Sequence, residues 1–200
     1  QTIGEVLVGE APAQAAIIAT GRPDYDLLPA TPDLAGTAVQ LAGMMARENR
    51  LRQALTFIAD RYEFILIDCP PSLGLLTING VTAAQRVLIP LQCEFLALEG
   101  LAQLKETIEL VRTHLNPELM IGGVLMTMYD GRANLARQVV EEVRRYFPQR
   151  IFNTLIPRNV RLSEAPSHGE LIAEYDPQSR GAKAYAALAE ERLQRQEALR

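Results

Sequence analysis

The feature that most constrains this chain is a repeated alternation. Short, continuous apolar runs are separated by stretches with helical periodicity. The runs are "FILID" at 64–68, "RVLIPLQ" at 86–92, "LMIGGVLMTM" at 119–128 and "IFNTLIP" at 151–157. Unbroken apolar strands suit a sheet covered on both faces, whereas a sheet with one wet face alternates polar and apolar residues. Between the runs, residues 73–84, 96–115 and 134–146 read as helices, and 179–193 as a charged amphipathic helix. Upstream, "DYDLLPA" at 24–30 reads as a short strand closed by Pro29. Residues 35–62 show helical spacing that Gly43 can interrupt. Such alternation predicts an α/β fold with a mostly parallel sheet and helices on both faces. No repeat or linker divides residues 1–200, so a single domain is expected.

In sheets of this kind, ligands bind beyond the carboxyl ends of the strands. The segments predicted there are "DCPPSLG", "PLQCE", "TMYDGRAN" and "IPRNVRLSEAPSHG", most of them rich in Pro, Gly, Asn and Asp. An aspartate at the tip of a buried strand, here Asp68, suits a Walker-B role: it holds Mg²⁺, directly or through water, beside nucleotide phosphates. Pro70 and Pro71 then force a loop. Ser72 and the N–H groups near Gly74 can face a γ-phosphate, at a helix start that favours anions. The competing reading of Asp68 is a helix cap.

Composition excludes some classes. No apolar run is long enough to span a bilayer. Two cysteines, Cys69 and Cys93, cannot make a disulfide framework and read as reduced, buried thiols. The net charge of −4 is unevenly placed. From Gly131 to Arg161, seven arginines face only Glu141 and Glu142, giving +5 there and −9 elsewhere. That is either a solvated face or a phosphate-contacting surface. His168 reads as a turn histidine without a second metal ligand. His114 sits at a helix C-terminus, where its charge suits the dipole.

Four long strings, "ILIDCPPSLGLLTINGVTAA", "IPLQCEFLALEGLAQL", "LMTMYDGRANLARQVVEEVRRYF" and "IPRNVRLSEAPSHGELIAEYDPQSRGAKAY", occur in an order that resembles the ParA/Soj chromosome- and plasmid-partitioning ATPases, of deviant-Walker P-loop type. The resemblance implies ATP and Mg²⁺ as cofactors. It implies Asp68 as the Walker-B aspartate, and Pro70, Pro71 and Ser72 as the γ-phosphate switch. Met128 and Pro157 fall where the family packs adenine, with Arg158 and Asn159 beside them. Arg132 and Arg161 match arginines that contact DNA without reading bases. For Met128 and Pro157 the alternative is core or turn packing. For Arg132 it is an exposed loop charge, and for Arg161 a local ion pair with Glu164.

The resemblance further implies a cycle. ATP joins two subunits into a homodimer that binds double-stranded DNA non-specifically. A ParB-like partner stimulates hydrolysis, and the dimer leaves the nucleoid. The expected setting is cytoplasmic and nucleoid-associated, with no membrane. The cargo is a chromosomal origin or a plasmid.

One departure stands out. The family's KGGVGKT loop is not among these residues, and no G-x-x-x-x-G-K-[ST] occurs. Lys105 and Lys183, the two lysines, both lie in predicted helices. The expectation is an N-terminally truncated domain lacking about 50 residues, somewhat more than a βαβ unit. Such a chain would be inactive alone and would leave apolar surface open. Three other readings stay open. The first is a nucleotide-independent DNA- or protein-binding remnant. The second is a ParA-like ATPase that positions non-DNA cargo. The third is a metabolic or cluster-carrying relative, disfavoured because no C-x-x-C is present.

Overall fold

The computed structural model describes residues 1–197. Two compact units emerge: Gln1–Arg86 with Leu104–Met120, and Val87–Gln103 with Ile121 onward.

The first unit is mainly helical. Helix α1 (Ile3–Val8) begins at Thr2, whose N–H donates to the Glu5 carboxylate at 2.6 Å. Helix α2 (Ala13–Ala16) follows, and β1 (Ile18–Ala19) pairs antiparallel with β2 (Asp26–Leu27). The helix expected over 35–62 is broken. Helix α3 (Leu34–Ala42) ends at Gly43, Ala46 takes a left-handed φ of 51°, and α4 (Arg50–Thr56) follows a single 3-10 turn. Helix α5 (Leu75–Ala83) matches its expected span closely.

Two apolar clusters hold these elements. Val6, Ala11, Ala13, Ala16 and Ile58 form one; Leu7, Leu41 and Leu51 form the other. Polar side chains fix the ends. The fully buried Asn79 accepts from the Leu51 N–H at 3.1 Å and donates to the Arg47 and Leu75 carbonyls. Asn116 donates to the carbonyls of Val81, Thr82 and Ala84, satisfying acceptors that the end of α5 leaves open.

"FILID" does not join a strand ladder among the described residues. Phe64, Ile65 and Leu66 are exposed, Leu66 at 90%, and only Ile67 packs against the second cluster. A strand is stabilised by neighbours that take its N–H and C=O groups. Among the described residues none exchanges ladder hydrogen bonds with this stretch.

The α/β expectation holds from Arg86 onward. Strand β3 (Arg86–Gln92), helix α6 (Leu96–His114) and strand β4 (Met120–Thr127) follow one another, and β3 pairs with β4. The Met120 N–H donates to the Gln85 carbonyl and the Cys93 N–H to the Thr127 carbonyl, so the strands run parallel. After α7 (Asn134–Tyr146), parallel bridges join Val124 to Ile151 and Tyr129 to Pro157. "IFNTLIP" is therefore a strand interrupted in its middle. The donors in its middle are taken by a residue far along the chain. The Glu191 carboxylate accepts from the N–H groups of Asn153 and Thr154 at 2.8 and 2.9 Å, and from the Thr154 hydroxyl at 2.8 Å. A side chain here takes donors that a ladder would otherwise use.

Residues 160–175 contain two short helices, α8 (Val160–Glu164) and α9 (Ile172–Tyr175). Helix α10 (Arg180–Glu197) closes the unit and packs Ala184 and Leu188, with Leu162, against Leu125, Phe152 and Ile156. Gly123 makes this possible: a Cβ there would lie 2.9 Å from Phe152 Cδ2.

Candidate functional site

In the first unit, Asp68, Cys69, Pro70, Pro71 and Ser72 share one cleft of about 670 Å³ with Leu34, Ala35, Ala38 and Leu76. Asp68 and Ser72 are both exposed. The cap reading of Asp68 fails, because the cap position of α5 is Gly74 and no side chain caps the helix. Among the described residues no hydrogen bond or ion pair engages the Asp68 carboxylate. Neither proline can donate a backbone hydrogen bond. Instead, Thr77 ties the loop to α5: its hydroxyl donates to the Ser72 carbonyl at 2.5 Å and reaches the Pro70 carbonyl at 3.3 Å. Cys69 lies against Gly80, where an added Cβ would meet its Sγ at 2.6 Å. Burial, helped by the Asp68 charge, pushes the Cys69 thiol up. Burial alone pushes Cys93 to about 11, so both thiols stay protonated at neutral pH; Cys93 is buried as expected, whereas Cys69 is only partly buried.

The cleft offers one carboxylate, one hydroxyl and the start of a nine-residue helix. Two hard oxygen donors suit Mg²⁺, which keeps several waters and shares substrate phosphates. They do not form a complete metal cage, and no cluster of three His, Cys, Asp or Glu suited to a metal occurs among the described residues.

In the second unit the other nominated residues fall on two adjoining loops. Met128 follows β4 directly, is exposed, and adopts a left-handed φ of 54°. That turn lets Tyr129 donate to the Ile156 carbonyl at 3.0 Å and accept from the Arg158 N–H at 3.1 Å. Met128, Pro157 and Arg158 are thereby brought together through Tyr129. A non-glycine residue in this region is uncommon and costly, and such residues gather at functional sites. Asn159 caps α8, its Oδ1 accepting from the Arg161 N–H at 2.9 Å.

Both nominated arginines are exposed, and both are paired. Arg132 forms a two-point pair with Asp130, Nε to Oδ1 and Nη2 to Oδ2 at 3.0 Å each. Arg132 beside it, with Arg158 adding its charge, holds the Asp130 carboxyl down at about 2. Arg161 meets Glu164 at 2.8 Å and Asp176 at 3.5 Å. The local ion pair weighed for Arg161 is present, on a side chain still 53% exposed. His168 stacks on Tyr175, with ring centroids 5.0 Å apart.

Reading the sequence missed Thr77, Asp130 and Asp176. Asp130 was within reach, since Asp-x-Arg in a Gly-containing turn favours a local carboxylate–guanidinium pair. Asp176 required the fold. No described helix is long and apolar enough to cross a membrane.

Comparisons with known proteins show the family. Residues 1–121 match the family described as an AAA domain. The chain is 54% identical over 191 residues to the sporulation initiation inhibitor protein Soj of Bacillus subtilis, spanning 96% of this chain and 76% of that one. It is 53% identical over 194 residues to the chromosome partitioning protein ParA of Myxococcus xanthus, spanning 97% and 69%. Among solved structures, cobyrinic acid a,c-diamide synthase from Mycobacterium smegmatis, with bound ATP analogue and magnesium, superposes with a TM-score of 0.84. It is 36% identical, with 100% of this chain and 74% of that one covered. On this similarity, the chain belongs to the Soj/ParA family of chromosome-partitioning ATPases, with their P-loop α/β fold.

Proposed function

We propose that these residues, taken as one ParA-like ATPase domain, serve an ATP-driven DNA-partitioning switch in the cytoplasm and on the nucleoid. The observation that carries this reading is the gathering of Asp68, Pro70, Pro71 and Ser72 in one cleft at the start of α5. There, Asp68 would hold Mg²⁺, directly or through water, and Ser72 would face the γ-phosphate. Bound MgATP would supply the phosphoryl group that passes to water. Thr77 holds the loop that presents Ser72, so a change at the phosphate end is transmitted to α5. Met128, Pro157, Arg158 and Asn159 are assigned to the adenine side. Their support is the hydrogen bonding that joins their two loops.

Arg132 and Arg161 would contact the DNA backbone without reading bases, in a homodimer formed with ATP. Phosphate contacts of this kind give salt-sensitive, sequence-independent binding. A ParB-like partner would stimulate hydrolysis and release the dimer.

The test is Asp68→Ala in the native gene product, assayed for Mg²⁺-dependent ATP turnover. A fall of at least tenfold is expected, since charge stabilisation at the phosphates is lost. Turnover equal to wild type removes Asp68 from the site.

A further inference from the structure

We propose that Glu164, Asp176 and Asp130 are phosphate surrogates: they occupy the DNA-facing arginines between encounters and thereby limit affinity for DNA. This inference rests on the DNA-binding reading of Arg132 and Arg161. A carboxylate presents the guanidinium with nearly the geometry that a phosphate does. Asp130 takes the Nε–Nη2 edge of Arg132 at both oxygens, 3.0 Å each, and also accepts the Arg132 backbone N–H at 3.1 Å. Glu164 takes Nη1 of Arg161 at 2.8 Å, and Asp176 lies 3.5 Å from its Nε. The Tyr175 hydroxyl donates to the same Glu164 oxygen at 3.3 Å, steadying the acid.

The two groups differ in charge. Around Asp130, Arg132 and Arg158 outnumber one acid, leaving +1; around Arg161, two acids outnumber one arginine, leaving −1. The Arg132 group therefore attracts the duplex first. Arg161 engages only when a phosphate displaces its acids. Displacement is feasible because the pair is open to water, with side-chain exposures of 53% for Arg161, 37% for Glu164 and 33% for Asp176. Exposed pairs of this kind are weak. The Arg161 backbone stays fixed, since Asn159 caps its N–H, so only the side chain has to move.

The acids leave a signature. A displaced carboxylate stays close to the phosphate, and a like charge about 6 Å away in water lowers affinity roughly threefold. It also cancels the charge that the arginine brings to DNA, so fewer counterions are released and the salt dependence flattens.

The experiment measures binding of the native gene product, with ATP and Mg²⁺, to a random-sequence duplex by fluorescence anisotropy across a salt series. The variants are Glu164→Gln, Asp176→Asn and Asp130→Asn, with Arg161→Glu as reference. Each amide variant is expected to bind roughly threefold tighter at low salt. The slope of log K against log salt should steepen by about 0.9 for each arginine freed. Binding by Glu164→Gln and Asp130→Asn that is no tighter than wild type, with an unchanged slope, overturns the proposal. Asp130→Asn makes none of the α8 contacts of Glu164 and leaves the Asn159 cap in place, so it tests the idea even if Glu164→Gln does not fold. An Arg161→Glu variant that binds like wild type rejects the DNA surface itself, a separable failure.

Discussion

Replacing Glu191 by alanine should open the sheet edge at Asn153–Leu155. The carboxylate accepts four hydrogen bonds: from the Asn153 and Thr154 N–H groups, from the Thr154 hydroxyl, and from Arg195 Nη2 at 2.6 Å. Arg195 in turn donates to the Ile151 carbonyl at 2.6 Å and lies 4.2 Å above the Phe152 ring. The Glu191 side chain is only 14% exposed, so water replaces these bonds poorly. A hydrogen bond to a charged group contributes about 1.5–3 kcal/mol, but bonds that share one carboxylate do not add. We therefore expect a loss of about 3 kcal/mol for Glu191→Ala, and about half of that for Glu191→Gln, which keeps one acceptor oxygen. The local assay is hydrogen exchange at the Asn153 and Thr154 amides, read beside urea denaturation followed by circular dichroism. A loss below about 0.5 kcal/mol with unchanged amide protection would refute the reasoning, since that is the range of an ordinary surface substitution. Acid provides an independent check. Burial opposes ionisation of Glu191, but its backbone and hydroxyl donors and Arg195 outweigh burial, and its carboxyl is held below the ordinary 4.5. A depressed folded-state value means the stabilisation is complete above that ordinary value and lost as pH falls through the lower, folded one. Protection at Asn153 and Thr154 should therefore decay below about pH 4.5 in wild type and be insensitive to acid in Glu191→Gln.

Two further perturbations probe the packing beneath the sites. Gly123→Ala would drive a methyl into Phe152, which is fully buried, and should cost about 1–3 kcal/mol of overpacking in thermal or urea unfolding; a neutral effect would mean that the ring moves freely. Thr77→Val keeps the shape but removes the donor to the Ser72 carbonyl, so the Pro70–Ser72 loop should loosen at a cost of about 1 kcal/mol. In the native gene product it should raise the KM for ATP more than it lowers kcat, and unchanged steady-state constants would show that the loop needs no such tether.

The parts of this fold that were legible in advance are those where one segment's own pattern decides its structure. Helices α5, α6, α7 and α10 and strands β3 and β4 all lie within a few residues of their expected spans, because a dominant periodicity needs no distant partner to be read. Where a distant partner decides, the reading fell short. The apolar composition of "FILID" favours a strand, yet a strand exists only beside another, and these residues have no such neighbour among those described. "IFNTLIP" satisfies the same composition rule, yet its middle donors go to Glu191, in a helix late in the chain. The left-handed turn at Met128 has no glycine or asparagine to announce it. The sequence places Asp68, Pro70, Pro71 and Ser72 together because they are contiguous.

The arginines show the same limit from the electrostatic side. Counting charges from Gly131 to Arg161 yields +5, and that count suggests a strong polyanion surface. The fold lowers the reckoning at both ends. Asp130 lies just outside the counted window, and Asp176 well beyond it, yet both sit on the arginines that matter. Field strength at a phosphate about 3 Å from a guanidinium depends on acids within the next few ångströms far more than on net charge further off, which salt screens over about 8–10 Å. The positive potential at Arg161 is thus weaker than composition implies, and Asp130 lowers it beside Arg132 and Arg158 as well. On the DNA-binding reading proposed above, contacts moderated by Asp130, Glu164 and Asp176 would release a duplex more readily than seven arginines opposed only by Glu141 and Glu142.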